Sequence, residues 1–208
     1  MKVGIVEDRL EVISKYAYGK RILDLGCVGE GPSPSWLHFS LVQWGKEVLG
    51  VDIDKTKINR LRKLGYNVIC GNAERIKINK KFDVVIAGEL IEHLSNPGLF
   101  LENIKKNLKE DGILIVTTPN AHQSSYFFSG IKKKISESWR KRAFQKRHVV
   151  LFTFDTMKTL IERHGFSIIE FYYWTGKLGG LRGSLAKLFY SIFPHFSPNL
   201  LFVLKPSR

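Results

Sequence analysis

The sequence predicts an α/β protein in which helices cover both faces of a largely parallel β-sheet. Strand-like apolar runs alternate along the chain with helix-like amphipathic segments, the order expected when a helix follows each strand. Glycine-rich or acidic turns follow several of the strands, and no internal repeat interrupts the alternation. With 208 residues and an apolar fraction of 44%, the chain can bury a sizeable core as one domain, residues 1–208.

The first half of the chain gives four strands in order. VEDRLEVISKYAYG is predicted to form an opening helix that ends at glycine, and RILDLG, residues 21–26, a first strand. Residues 35–44 form a helix, and EVLGVDID, residues 47–54, a second strand. KTKINRLRKLG is a helix with Gly65 just past its end. YNVICGN and FDVVIAG are the third and fourth strands.

The second half continues the alternation. Asn96 and Pro97 begin a helix, PGLFLENIKKNLKEDG, that Gly112 closes, and ILIVTTPN is a fifth strand. TFDTMKTLIERHG is a helix with Thr153 or Asp155 as its N-cap. FSIIEFYYW is a sixth strand, SLAKLFYSIF a helix and NLLFVLKP a last strand. We expect the apolar residues of this tail to pack in the core, with an acceptor wall or a membrane-facing patch as alternatives.

The composition is strongly basic, with 33 Lys or Arg against 19 Asp or Glu and a net charge of +14. This charge predicts an anionic partner, with a solubilising Lys-rich surface as the alternative. Cys27 and Cys70 are too few for a disulfide framework and are interpreted as reduced thiols. The charged beginning MKVGIVEDRLEV argues against a signal peptide, so we expect a cytoplasmic protein that is either free or peripheral at a membrane.

Three stretches follow strands and carry candidate binding residues. ILDLGCVGEG has glycines that let a backbone approach a ligand, and Asp24 lies just before them. A buried Asp24 would brace this loop or hold a cationic ligand group. Asp52 ends the second strand, where a carboxylate can accept hydrogen bonds from ribose hydroxyls, whereas Asp54 is better placed to cap the next helix. Asn72 ends the third strand and is interpreted either as a base-reading amide or as a turn residue.

In this order, the three stretches resemble the class I S-adenosylmethionine-dependent methyltransferases over roughly residues 12–205. The resemblance implies a three-layer α/β/α Rossmann-like sheet of seven strands, mostly parallel, with an antiparallel last strand. It also implies S-adenosylmethionine as cofactor. The family's usual loop is D-x-G-C-G-x-G, which Val28 interrupts here. The implied cofactor-binding residues are Asp24, Gly26, Gly29, Asp52, Ile53, Asn72, Ala73 and Glu89.

The stretch GELIEHL follows the fourth strand, where cofactor and acceptor meet in that family. Its Glu89, Glu92 and His93 have the spacing i, i+3, i+4, which predicts one face of a helical turn. E-x-x-E-H here resembles the O-methyltransferases of quinone biosynthesis, the methyltransferase type 11 group, and the 2′-O-methyltransferases of small-RNA 3′ ends. That resemblance implies Mg²⁺ held by these three residues and His148 of RHVVLFT. The alternative is a capped, solvated helix start.

Glu92, His93 and His148 are also the candidate catalytic groups. A metal held by Glu89, Glu92, His93 and His148 would lower the pKa of the acceptor hydroxyl and orient it. Without one, His93 or His148 would act as the general base. His122, in TTPNAH, is a further candidate near the acceptor pocket, or a polar loop residue.

A basic, lid-like insertion is predicted at about residues 121–148. Within it, Ile131 to His148 has eight Lys or Arg against one Glu, with Trp139 and Phe144 interleaved. Residues Lys132–Arg147 would suit RNA or an anionic membrane surface, and a solvated loop is the alternative.

These features leave three classes of function open. The first is O-methylation of a small or lipid-linked acceptor, such as a polyprenyl phenol. The second is RNA methylation, 2′-O or related, which the net charge favours although no RNA-binding module is appended. The third is a non-enzymatic nucleotide-binding module on the same fold. A NAD-dependent oxidoreductase is least favoured because the glycine spacing is not G-x-G-x-x-G.

Overall fold

The computed structural model describes residues 1–29, 31–33, 36–124, 148–177 and 179–207, without the side chains of residues 181 and 182. Eight strands within these residues form one sheet in the order β1-β7-β8-β6-β5-β2-β3-β4. The strands are Lys2–Val6, Arg21–Leu25, Glu47–Asp52, Val68–Cys70, Phe82–Gly88, Leu108–Pro119, Phe166–Trp174 and Asn199–Pro206, numbered β1 to β8. The α-helices α1 to α6 are Leu10–Ala17, Leu37–Trp44, Lys55–Lys63, Pro97–Lys105, Phe154–Arg163 and Gly180–Ile192.

The predicted α/β architecture is confirmed. All neighbouring strands are parallel except β8, which lies antiparallel between β6 and β7. Strand residues alternate between the two faces: Leu23 and Leu25 of β2 join one apolar cluster, and Ile22 joins another under α1 and α2. A parallel sheet needs both faces covered in this way.

The strand count differs from the prediction by one, because β1 was not predicted. KVGIV forms an edge strand parallel to β7, and Gly4 lies where a Cβ would be 3.0 Å from the ring of Tyr172. The opening helix therefore begins at Leu10 rather than at Val6. Three of the five β1 residues are exposed, so the alternating pattern that marks a buried strand is weak there.

The helix predicted to continue to Gly112 ends earlier, at Lys105. The buried Asn107 side chain donates hydrogen bonds to the carbonyls of Ile78 and Lys80, and Leu108 pairs with Phe82. These long-range contacts extend the chain into β6, although LKED itself has good helix propensity. The capping predictions were better: the side chains of Asn96 and Thr153 accept hydrogen bonds at the starts of α4 and α5.

The tail also departs from expectation. β8 is buried as predicted, whereas Leu185, Leu188 and Ile192 of α6 are exposed rather than packed in the core. No helix among the described residues is long and apolar enough to cross a membrane.

Candidate active site

The glycine-rich loop after β2 folds back against β3. The backbone N–H groups of Gly26 and Cys27 donate to the Val51 carbonyl over 2.8 and 3.2 Å, and the Trp36 indole N–H donates to the Cys27 carbonyl over 2.6 Å. Gly26 and Gly29 have φ angles of 74° and 45°, which glycine adopts without strain. These hydrogen bonds fix the side of the loop that faces β3 and Trp36. The other side of the loop borders a cavity.

Asp24 lies beneath this loop, almost fully buried, and its Oδ2 is 2.8 Å from Nδ1 of His38 on α2. His38 is also buried, and a Cβ on Gly50 would lie 2.8 Å from its Cε1, so β3 leaves room for the ring. Sequence reasoning missed His38, because a single His in an apolar helix carries no signal. Burial is the main reason that the pKa of the neighbouring Cys27 thiol is raised, which keeps the thiol neutral.

A cavity of about 350 Å³ opens above Asp24, Gly26 and Gly29. Arg9, which was not predicted, also lines it. The Arg9 guanidinium lies 5.0 Å from the Trp174 ring centre, and its Nη1 is 3.5 Å from Thr117 Oγ1. Arg9 reaches the cavity from the turn before α1, a placement that only the folded sheet creates. The walls therefore offer both carboxylates and a cation, which suits a zwitterionic ligand.

Glu89 lines this same cavity rather than standing on a helical turn with Glu92. The predicted turn is a short 3₁₀ helix of Ile91–His93, and Glu89 precedes it with a φ of 52°. The Glu89 N–H donates to the Thr117 carbonyl over 3.0 Å, which holds this left-handed conformation. Such a backbone costs about 1–2 kcal/mol in a non-glycine residue. Glu89 therefore does not share a helical turn with Glu92 and His93, as the spacing had predicted.

A second cavity of about 190 Å³ lies on the other side of Gly26, at the ends of β3 and β4. Asp52 borders it and accepts hydrogen bonds from the N–H groups of Val28, over 3.2 Å, and Asp54, over 2.9 Å. Ile53 also borders this cavity and is 72% exposed, so its apolar side chain can pack against the ring of a bound ligand. Asp54 instead caps α3 by accepting from Lys57 N, as predicted.

Asn72 and Ala73 border the second cavity as well. The Asn72 side-chain oxygen accepts the Glu74 N–H over 2.8 Å, so Asn72 is the turn residue that was one of its two interpretations. Glu74 is buried and accepts the Asn96 N–H over 2.8 Å, which joins this turn to the start of α4. This arrangement still leaves the Asn72 amide at the cavity wall.

Glu92, His93 and His148 come together although His148 is distant in sequence. One ligand atom from each can be chosen so that all three lie within 4.8 Å of one another. Glu92 is fully buried and accepts a hydrogen bond from Thr118 Oγ1 over 3.1 Å. The Glu92 carbonyl accepts the Val149 N–H over 2.7 Å, which places His148, and the His93 and His148 ring centres are 4.8 Å apart.

A buried carboxylate beside two imidazoles is a donor set that divalent first-row metal ions accept. His93 also borders the second cavity, which brings the group next to the cavity that Asp52 and Asn72 line. His122 is exposed and is not part of this group. Most of the basic insertion, including Lys132–Arg147, lies outside the described residues.

Comparison with known proteins identifies the family. Residues 5–170 match the family described as methyltransferase domain. The ubiquinone biosynthesis O-methyltransferase of Pelagibacter ubique is 27% identical over 146 residues, 67% of this chain and 59% of its own. The enzyme of that name from Bradyrhizobium diazoefficiens is 30% identical over 130 residues, which are 60% of this chain and 49% of that enzyme's chain. The chain thus spans about half to three-fifths of the length of these curated relatives.

Solved structures give the same fold. A SAM-dependent methyltransferase from Archaeoglobus fulgidus superimposes with a TM-score of 0.67 at 16% identity, covering 95% of this chain and 91% of its own. Magnesium protoporphyrin IX methyltransferase from Synechocystis, solved with bound SAH, superimposes with a TM-score of 0.61 at 16% identity. The superposition covers 94% of this chain and 78% of that enzyme's chain. At these identities the likeness concerns the fold.

Proposed function

This chain belongs to the methyltransferase domain family, within the class I S-adenosylmethionine-dependent methyltransferases, and from that premise we propose that it methylates a hydroxyl oxygen. The acceptor is a small or lipid-linked molecule. The observation that carries the proposal is the group formed by Glu92, His93 and His148 beside the cofactor region. The name of these relatives, ubiquinone biosynthesis O-methyltransferase, supports an oxygen acceptor.

The two cavities divide the cofactor between them. Arg9, Asp24 and Glu89 of the larger cavity would hold the methionine part, Arg9 through its carboxylate and the two acids through its ammonium group. Asp52, whose oxygens accept two backbone N–H groups, would bind the ribose. Ile53 and the turn at Asn72 would hold the adenine.

Methyl transfer from a sulfonium is an in-line displacement by a donor that is already activated. Alignment of oxygen, methyl and sulfur by the bound geometry can supply about 7–11 kcal/mol of the barrier. The acceptor oxygen must also lose its proton. His93 and His148 are the groups placed to receive it, and the buried Glu92 stabilises the imidazolium that forms.

Alternatively, Glu92, His93 and His148 would hold a divalent ion, and the imidazole nitrogens that bind it would then not take the proton. When bound, that ion would lower the pKa of the acceptor hydroxyl. Because Glu89 borders the larger cavity, we infer for it the cofactor-binding role, one of the two roles that the sequence predicts.

The test is a transfer assay with isotopically labelled S-adenosylmethionine and acceptors that differ in one group. A phenol, a polyprenyl phenol, an aromatic amine and a short RNA with a free 3′ end would be compared, each with Mg²⁺ and with chelator. We expect label on the phenolic oxygen. Label on the amine alone, or on the RNA alone, would contradict the proposed acceptor.

A further inference from the structure

Helix α6 turns an apolar stripe towards solvent. Leu185, Leu188 and Ile192 are 62%, 60% and 61% exposed, and Phe193, just past the helix, is 49% exposed. The spacing of three and four residues between Leu185, Leu188 and Ile192 places these side chains on one side of the helix. Tyr190 faces the other way and is buried. A surface helix normally has the reverse arrangement, because exposed apolar area is unfavourable in water. These four residues are called the α6 stripe below.

The polar groups flanking the stripe do not need water. The hydroxyl of Ser184 donates to the Gly180 carbonyl over 3.3 Å, and that of Ser191 to the Leu188 carbonyl over 2.8 Å. Both hydrogen bonds lie within the helix itself, so the two serine hydroxyls can enter an apolar medium without losing their hydrogen-bond acceptors.

The rest of the helix is anchored to the fold. Lys187 forms a 2.8 Å ion pair with Glu7, and Tyr190 shares a 3.2 Å hydrogen bond with Ser124. The stripe therefore cannot turn inward without breaking these contacts. It is a fixed surface feature, larger than the scattered apolar residues of ordinary protein surfaces.

We propose that the α6 stripe docks into the surface of a bilayer that contains anionic lipids. The net charge of +14 draws the chain to such a surface. The same charge opposes a second copy of the chain as the occupant, since two cationic molecules repel each other. At 13 residues, about 20 Å long, α6 is too short to span the bilayer and lies in its plane.

Docking through α6 goes beyond methyl transfer and does not depend on it. It would bring the chain to the surface that holds a lipid-linked acceptor.

The experiment is co-sedimentation of the full chain with vesicles of phosphatidylcholine alone or mixed with phosphatidylglycerol. We expect binding to the mixed vesicles that weakens with salt, and about tenfold weaker binding for Leu188→Ser. Leu64→Ser is the matched control, since Leu64 is 58% exposed at the far end of α3 and should leave binding unchanged. S-adenosylhomocysteine binding, measured on each variant, verifies the fold separately.

Three results would overturn the proposal. One is no binding of the wild-type chain to anionic vesicles. Another is equal binding of Leu188→Ser and the wild-type chain. The third is self-association of the wild-type chain, seen by sedimentation velocity without lipid, that Leu188→Ser abolishes. None of these depends on methyl transfer, so a failure of the proposed enzymatic function remains distinguishable.

Discussion

The proposed cofactor half and the proposed acceptor half of the site are built differently. In the cofactor half, Asp24, Asp52 and Asn72 lie in or just after strands that follow one another along the chain. In the acceptor half, Glu92 and His148 meet only because distant segments pack together. The positions of the first three residues can therefore be predicted from the strand pattern, whereas the meeting of Glu92 and His148 depends on the assembled fold.

The difference implies that the two halves can be damaged separately. Losses in the cofactor half should appear as weaker binding of S-adenosylhomocysteine. Losses in the acceptor half should appear as slower turnover with cofactor binding intact. Substitutions at four positions test this separation and are given below from the largest expected effect to the smallest.

Glu92→Gln should lower turnover by about 100- to 1000-fold, because the buried side chain loses its charge beside His93 and His148. The dissociation constant of S-adenosylhomocysteine, measured by calorimetry, should stay within about threefold. Glu102→Gln, an exposed residue paired with His164, is the control and should change neither quantity. If Glu92→Gln loses as much cofactor affinity as turnover, the two halves cannot be damaged separately.

Full activity of Glu92→Ala in the presence of a chelator would show that the mechanism does not use a metal.

Asp52→Ala should weaken S-adenosylhomocysteine binding about 100-fold, since it removes the proposed ribose contacts and releases the Val28 and Asp54 N–H groups. Asp54→Ala removes a carboxylate two residues away that caps α3 and pairs with the Lys57 side chain. The control should lose about 1 kcal/mol of unfolding free energy and keep its affinity. Similar affinity losses in both variants would mean that loop stability, rather than a ribose contact, is being measured.

Arg9→Ala should weaken S-adenosylhomocysteine binding about tenfold or more, because the proposed partner of the ligand carboxylate is lost. Methylthioadenosine, which lacks the amino-acid part, should bind wild-type and variant chains equally. Arg21→Ala, at an exposed ion pair with Glu47, is the control. If both ligands lose affinity alike in Arg9→Ala, then Arg9 supports the cavity without touching the carboxylate.

Glu89→Gly and Glu89→Ala should separate strain from binding. Both remove the carboxylate from the larger cavity and should weaken S-adenosylhomocysteine by the same factor. Glycine accepts a φ of 52° and alanine does not, so thermal unfolding should show the glycine variant about 1 kcal/mol more stable. Equal stability of the two would show that the backbone relaxes in solution.

The contrast also explains what could be predicted from the sequence. The element order and the polar strand ends were predictable, because apolar periodicity and capping residues such as Asp54 and Thr153 act locally. Arg9 and His38 were missed since their roles arise from contacts across the sheet.

The errors have the same origin. Glu89 was misplaced because the spacing i, i+3, i+4 assumes an α-helical turn, and the contact with Thr117 imposes another backbone. The apolar residues of α6 were expected in the core, with an acceptor wall or a membrane-facing patch as alternatives, because an apolar pattern alone does not show whether a helix face is buried or exposed.

The most direct test of the cofactor crevice is calorimetric titration of the wild-type chain with S-adenosylhomocysteine. We expect one molecule to bind per chain with a dissociation constant on the order of micromolar, about −8 kcal/mol. Absence of binding at about millimolar ligand, roughly −4 kcal/mol, would contradict the assignment of Asp52 and the two cavities to this cofactor.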